Sequence, residues 1–272
     1  MTEPQRDDPP PSAPAYSPRL TRALRFALRD LYDYLGTFLV ASALWSTLFL
    51  SLVAGAAAAA ERWAGRSGPL PVLVFSGIGW AAAATILGPL TAGLFRLARN
   101  VAARRDPELL DLLWGWRERL GASVGLAALQ GAVGLVLGFG LLIAAGWPPG
   151  RLATDVVRTA FAYAVALWGL LCLYQWALFA EPTLGGGAPI RNAYVLAIHS
   201  GLLTHAAMIL LLLTGGLLAM SVVGGLLLGA GWVALVATHL VRELLRRHGL
   251  LPPDPTEGDP GERDAWGHGW HE

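Results

Sequence analysis

The sequence predicts an all-α fold: a polytopic membrane helical bundle of six transmembrane helices with two interfacial amphipathic helices. Three observations predict it. Only 14% of the 272 residues are charged, 54% are hydrophobic and the mean hydropathy is +0.50, whereas a soluble domain carries about 25% charged residues. The apolar residues come in runs long enough to cross a hydrocarbon core, which takes about 20 residues at 1.5 Å rise. The arginines cluster in alternate connections between those runs, the pattern described by the positive-inside rule.

Six runs qualify: Leu35–Ala60, Leu70–Phe95, Gly121–Gly146, Thr154–Ala180, Gly201–Leu218 and Val222–Val241. The last two are separated on length. No Asp, Glu or Arg lies between Arg191 and Arg242, and one helix through that stretch would be roughly 75 Å long against a core of about 30 Å. The chain must fold back there, with Met220-Ser221 the expected turn. Sixteen of the twenty arginines then fall on one side, in the N-terminal segment, after the second span, after the fourth and after the sixth. Four fall on the other side: Arg62, Arg66, Arg151 and Arg158. Both termini are therefore expected in the cytoplasm.

The flanks differ in composition. Residues 1–18 and 248–272 are polar and rich in Pro and Gly, too poor in apolar surface to fold alone, so disordered cytoplasmic tails are expected around a membrane domain at 19–247. The acidic, proline-rich start is unlike a cleavable signal peptide.

Two segments read as helices lying in the interface. From Leu20 to Leu35 a 3.6-residue period lines up Leu20, Leu24, Ala27, Leu28, Leu31 and Leu35, with Arg22, Arg25, Arg29 and Asp33 opposite. The second begins after "GPLTAGLFRLARNVAARR". Asp106 is the expected N-cap, Pro107 the first helical residue and Glu108 a favourable charge near the helix N-terminus. Leu109, Leu113, Trp116 and Leu120 then share a face. Arg104, Arg105, Trp114 and Trp116 are the expected anchors at headgroup depth.

Few residues in the spans could carry chemistry. Pro89 predicts a kink, since proline removes one backbone bond and clashes with the preceding turn. Gln130 and Gln175 are expected to hydrogen-bond between helices. Asp155 and Arg158, at i,i+3, are expected to pair near the outer boundary. His205 and His239 would lie at one depth near the cytoplasmic face if the last hairpin turns at Ser221, where two imidazoles could bind a metal or respond to pH; a structural role weighs against this, because no third ligand has matching spacing. No metal or other cofactor is expected. Cys172 is the single cysteine, which excludes an intramolecular disulfide and a Cys-based zinc site. The chain has no H-E-x-x-H, and without lysine it has no phosphate-binding P-loop. A net charge of +1 gives no basis for nucleic-acid binding.

The basic helix running into the first span ("RALRFALRDLYDYLGTFLVASALW"), the closing "GPLTAGLFRLARNVAARRDP", and the later "LYQWALFAEPT" and "IRNAYVLAIHSGLLTH" resemble the YesL-like integral membrane proteins, domain-of-unknown-function family 624. The resemblance runs from about Arg19 to Arg247. It implies a small multi-pass protein of the bacterial cytoplasmic (inner) membrane, non-enzymatic, with an accessory or regulatory role in solute (carbohydrate) uptake. Its expected partners are the lipid bilayer and a membrane transporter complex. Two alternatives stand beside that reading: a small-solute or ion transporter with a polar route past Pro89, Gln130, Gln175, His205 and His239, and an intramembrane enzyme of unrecognised type.

Overall fold

The computed structural model describes residues 20–64, 69–148, 150, 152–181 and 189–252. The first tail and most of the second (253–272) lie outside the described residues, as do Arg66 and Arg151. Among the described residues every regular element is helical: α1 (Leu20–Asp33), α2 (Leu35–Ala64), α3 (Pro69–Ala102), a 3-10 turn (Leu109–Leu113), α4 (Trp114–Arg117), α5 (Leu120–Ala145), α6 (Leu152–Phe179), α7 (Pro189–His199), α8 (Gly201–Met220), α9 (Val222–Gly224), a π turn (Gly225–Gly229) and α10 (Ala230–Arg247).

Four stretches are long and apolar enough to cross a membrane as single helices: Leu35–Arg62, Leu120–Ala145, Leu152–Phe179 and Gly225–Arg247. Two bent pairs raise the number to six if each is one span: Gly77–Ala83 with Thr85–Ala102, bent by 40°, and Pro189–His199 with Gly201–Leu217, bent by 103°. The expected break at Met220-Ser221 is present. Ser221 separates α8 from α9, and its hydroxyl accepts the Gly224 N–H at 3.1 Å, as an N-cap side chain does. The sixth run enters through a π turn rather than a regular helix and continues to Arg247, six residues beyond its expected end.

Helices α3 and α5 run antiparallel: Gly88 lies against Ser123 and Ala127, Gly131 against Ala81, and Gly77 against Leu135 and Phe139. Pro89 cannot donate to the Thr85 carbonyl, and the 40° bend falls just N-terminal to that residue, where proline kinks are expected. Past the level of Ser123, α3 continues for more than three turns, so its C-terminal part projects beyond the start of α5.

That projection ends in a Schellman motif. The Arg105 N–H reaches the Asn100 carbonyl and the Arg104 N–H the Val101 carbonyl, both at 2.9 Å, with Arg104 at φ 56°. The chain then turns back along α3 instead of starting a helix at Asp106. Glu108 precedes the 3-10 turn, and the Asp111 carboxylate accepts the Glu108 N–H at 3.2 Å and an Asn100 amide N–H at 2.8 Å. The expected Asp106 cap is therefore replaced by a Glu108–Asp111 pair, because Asn100 on α3 draws Asp111 inward. The single helix expected through Leu120 is a 3-10 turn, one α turn and a break before α5. Leu109, Leu113, Trp116 and Leu120 are all exposed.

The buried core gathers toward the arginine-rich end. It combines Ala23 and Ala27 of α1, Leu87 to Val101 of α3, Leu170 to Ala180 at the end of α6, and Trp232 to Leu245 of α10. Helix α10 is central: 56% of its most apolar window is buried, against 11% for α6. It ends in a second Schellman motif, with Gly249 at φ 68° and the Leu250 N–H on the Leu245 carbonyl. Leu251 packs back on the core, so ordered chain extends past the expected boundary at 247.

Candidate functional site: ionic end and central cavity

Three buried carboxylates organise the arginine-rich end. Asp30 of α1 is fully buried, with Arg104 Nη1 and His239 Nε2 each 2.8 Å from its oxygens. Glu181, just after α6, receives Arg99 of α3 at 3.4 Å and Arg242 of α10 at 3.2 Å. Glu243 of α10 lies 3.8 Å from both Arg22 of α1 and Arg246. Each carboxylate faces at least two basic groups, and together the three sites tie α1, α3, the end of α6 and α10 into one unit. Burying a charge is tolerated only when it is paired in this way.

Sequence periodicity missed these residues. On α1 the buried line is Ala23, Ala27 and Asp30, while Leu28, placed on the expected apolar stripe, is exposed. The two alanines bring α1 close to α10, and Asp30 follows them inward because His239 waits there. The clue available was the i, i+4, i+7 spacing of Ala23, Ala27 and Asp30. Nothing local marks Glu181 or Glu243.

The expected anchors divide. Arg104 caps α3 and pairs with Asp30, and Arg105 is exposed. Trp114 is buried, not a lipid anchor: its indole N–H donates to Glu118 at 2.6 Å, Phe179 meets it edge-on, and Arg96 lies over its ring. Trp116 is exposed.

Gln130 of α5 and Gln175 of α6 meet in the middle of the bundle. The Gln130 amide N–H donates to Gln175 Oε1 at 2.8 Å, with the Cys172 carbonyl at 3.5 Å. Gln175 is fully buried, and its own amide nitrogen has no partner among the described residues. Beside the pair is a cavity of about 580 Å³ walled by α2, α3, α5, α6 and the start of α10. Trp45, Phe49, Trp168 and Trp176 make much of the wall, and among the described residues no charged side chain lines it. Thr91 on the wall accepts the Trp45 indole N–H at 2.9 Å and donates to the Leu87 carbonyl at 3.0 Å, so the residues beside Pro89 form part of this chamber.

The two histidines do not meet and do not share a depth. His239 bonds Asp30 and stacks on Phe26. His205 donates from Nδ1 to the Gly201 carbonyl at 2.6 Å and accepts the Tyr163 hydroxyl at Nε2. Tyr163 lies 16 residues before Phe179, roughly 24 Å up α6 by helical rise, whereas His239 lies one turn from Arg242 at the ionic end. The expected common level fails because α8 bends by 103° from α7 and crosses α6 away from α10. Among the described residues no group of three or more His, Cys, Asp or Glu could hold a metal ion.

Asp155 and Arg158 approach to 3.9 Å, but Arg158 does more than pair. Its guanidinium donates to the carbonyls of Ala144 at 2.8 Å, Ala145 at 2.9 Å and Trp147, closing the C-terminus of α5, where a cation also meets the helix dipole.

Fold and site together define a class: an all-helical, multi-pass membrane protein with an ion-paired end and an apolar central cavity. Comparison with protein-family models, curated proteins and solved structures finds no match to this chain.

Proposed function

We propose that this chain is a six-span, YesL-like inner-membrane protein with both termini in the cytoplasm, acting without chemistry of its own as an accessory or regulatory component of a solute (carbohydrate) uptake system. The observation that carries the reading is the dispersal of its polar groups. A solute route needs them to converge, yet Gln130 and Gln175 satisfy each other in part, His205 is engaged by Tyr163, and His239 by Asp30. The ion-paired end supplies rigidity instead of a path.

Two features support the interfacial and lateral parts of the reading. Leu109, Leu110, Leu113, Trp116 and Leu120 are exposed around the 3-10 turn and α4, which suits a segment at headgroup depth. Helix α8 turns Leu202, Ile209, Leu212, Leu213 and Leu217 outward, leaving a face for lipid or for a transporter subunit. The transporter alternative draws on one observation, the cavity that reaches Gln130.

The test is purification in native lipid discs followed by mass spectrometry. Permease subunits of a solute-uptake system should co-purify in fixed ratio. Their consistent absence, together with solute flux in proteoliposomes of this chain alone, would favour the transporter. Orientation is tested separately: Trp147→Cys should react with a membrane-impermeant thiol reagent added outside cells, and Arg105→Cys should not.

A further inference from the structure

The cavity has the chemistry of a lipid site. Its wall is mostly aromatic and aliphatic, carries no charged side chain among the described residues, and belongs to helices of membrane length. Its volume of about 580 Å³ lies within the range of pockets that enclose a small organic ligand, about 300–1,000 Å³. Along α6 its lining residues run from Val165 to Trp176, roughly 16 Å by helical rise, long enough to take an extended hydrocarbon chain.

Two polar features make it more than a void. The Gln130 amide nitrogen is committed to Gln175 and Cys172, while its oxygen receives no donor among the described residues. Gln130 lines the cavity, and an amide oxygen without a protein donor can accept a ligand O–H or N–H. The π turn at Gly225–Gly229 also ends on the wall, with Gly229 and Ala230 lining it. π turns recur at binding sites because they displace the backbone locally. Here the displaced register leaves the Gly231 N–H to Ser42 Oγ at 2.8 Å, fixing α10 against α2 beside the cavity.

We propose that this cavity binds a single-chain, uncharged lipid, its hydrocarbon along Trp45, Phe49, Trp168 and Trp176 and its hydroxyl or amide donor on the Gln130 oxygen. A fatty-acid carboxylate is disfavoured, because no cation among the described residues lines the site and an unpaired charge within the membrane is expensive. A plain alkane leaves the Gln130 oxygen unmet. The occupant enters from the bilayer, so it need not be water-soluble.

Gly169 offers the structural control. It lines the cavity, and a β-carbon built on it meets nothing within 4 Å, so Gly169→Leu adds apolar bulk at the wall with room for its first carbon. The experiment uses the full chain in lipid discs with three diazirine-bearing probes of one length, a long-chain alcohol, a fatty acid and an alkane. Crosslinks are mapped by peptide mass spectrometry. The alcohol should label the cavity wall around Trp168 and Cys172 about tenfold more than the fatty acid, the ratio that one lost hydrogen bond and an unpaired charge readily exceed. Gly169→Leu should abolish that labelling and leave labelling of Leu212 and Leu213 on α8 unchanged. Equal wall labelling by all three probes, or wild-type labelling confined to the outward α8 residues, overturns the proposal. The wild-type pattern decides even if Gly169→Leu does not fold.

Discussion

Gly115 sits with its α-carbon against the Pro89 carbonyl: a β-carbon built there would come within 2.1 Å of that oxygen. The facing contact is reciprocal, since a β-carbon on Gly93 would come within 2.0 Å of the Leu112 carbonyl. The glycines of "GPLTAG" and "WGW" are thus two halves of one backbone contact between α3 and the segment that returns along it. Because the obstructing atoms are main chain, neither can rotate aside. Gly115→Ala and Gly93→Ala are each expected to cost about 3 kcal/mol, the upper part of the overpacking range, and to expose Trp114. Thermal unfolding in detergent and the emission maximum of tryptophan fluorescence check both; unchanged values would show that the segment is free to move. By contrast Gly121, Gly125 and Gly138 meet nothing within 4 Å, so alanine there should be neutral.

Arg104 occupies a left-handed position normally given to glycine, and its side chain pairs with buried Asp30. Arg104→Ala loses the pair and keeps the strain, while Arg104→Gly loses the pair and relieves it. The glycine variant should therefore be more stable than the alanine variant by about 1 kcal/mol. Equal stabilities would mean that the strain is negligible.

Glu181 neutralises two arginines from two other helices. Glu181→Gln leaves Arg99 and Arg242 facing each other across a weak acceptor, and a loss of about 3–5 kcal/mol is expected, the usual cost of breaking a buried ion pair. Replacing Arg99 as well, by Met, should recover part of it. A double variant no better than the single would argue against the pair as the cause.

Gln130 and Gln175 give a test of interhelical bonding without charge. Either single change to Leu removes one bond and strands a buried amide, for about 1–3 kcal/mol. The double change strands nothing and should be less destabilising than the sum of the two singles. Additive losses in equilibrium unfolding would show that the two amides act independently.

Arg158 holds three carbonyls at the end of α5 while Asp155 stands 3.9 Å off. Arg158→Ala should accordingly cost more than Asp155→Ala, by about 1 kcal/mol. Equal effects would restore the ion pair as the residue's main role.

By itself the sequence determined what short-range patterns control. Run lengths and charge scarcity led to an all-helical chain with membrane-length helices, Pro89 to a bend in the second span, and the impossible length of the Arg191–Arg242 stretch to a break at Ser221. Tertiary structure alone decided which polar groups meet. His239 and Asp30 are 209 residues apart in the chain and Arg99 and Glu181 are 82 apart, while the cavity draws its wall from five helices. Helical periodicity assigns a residue to a face but says nothing about which helix that face will meet. That choice came from close packing at Ala23, Ala27, Gly93, Gly115 and Gly231, which set the distances at which each buried charge finds its partner.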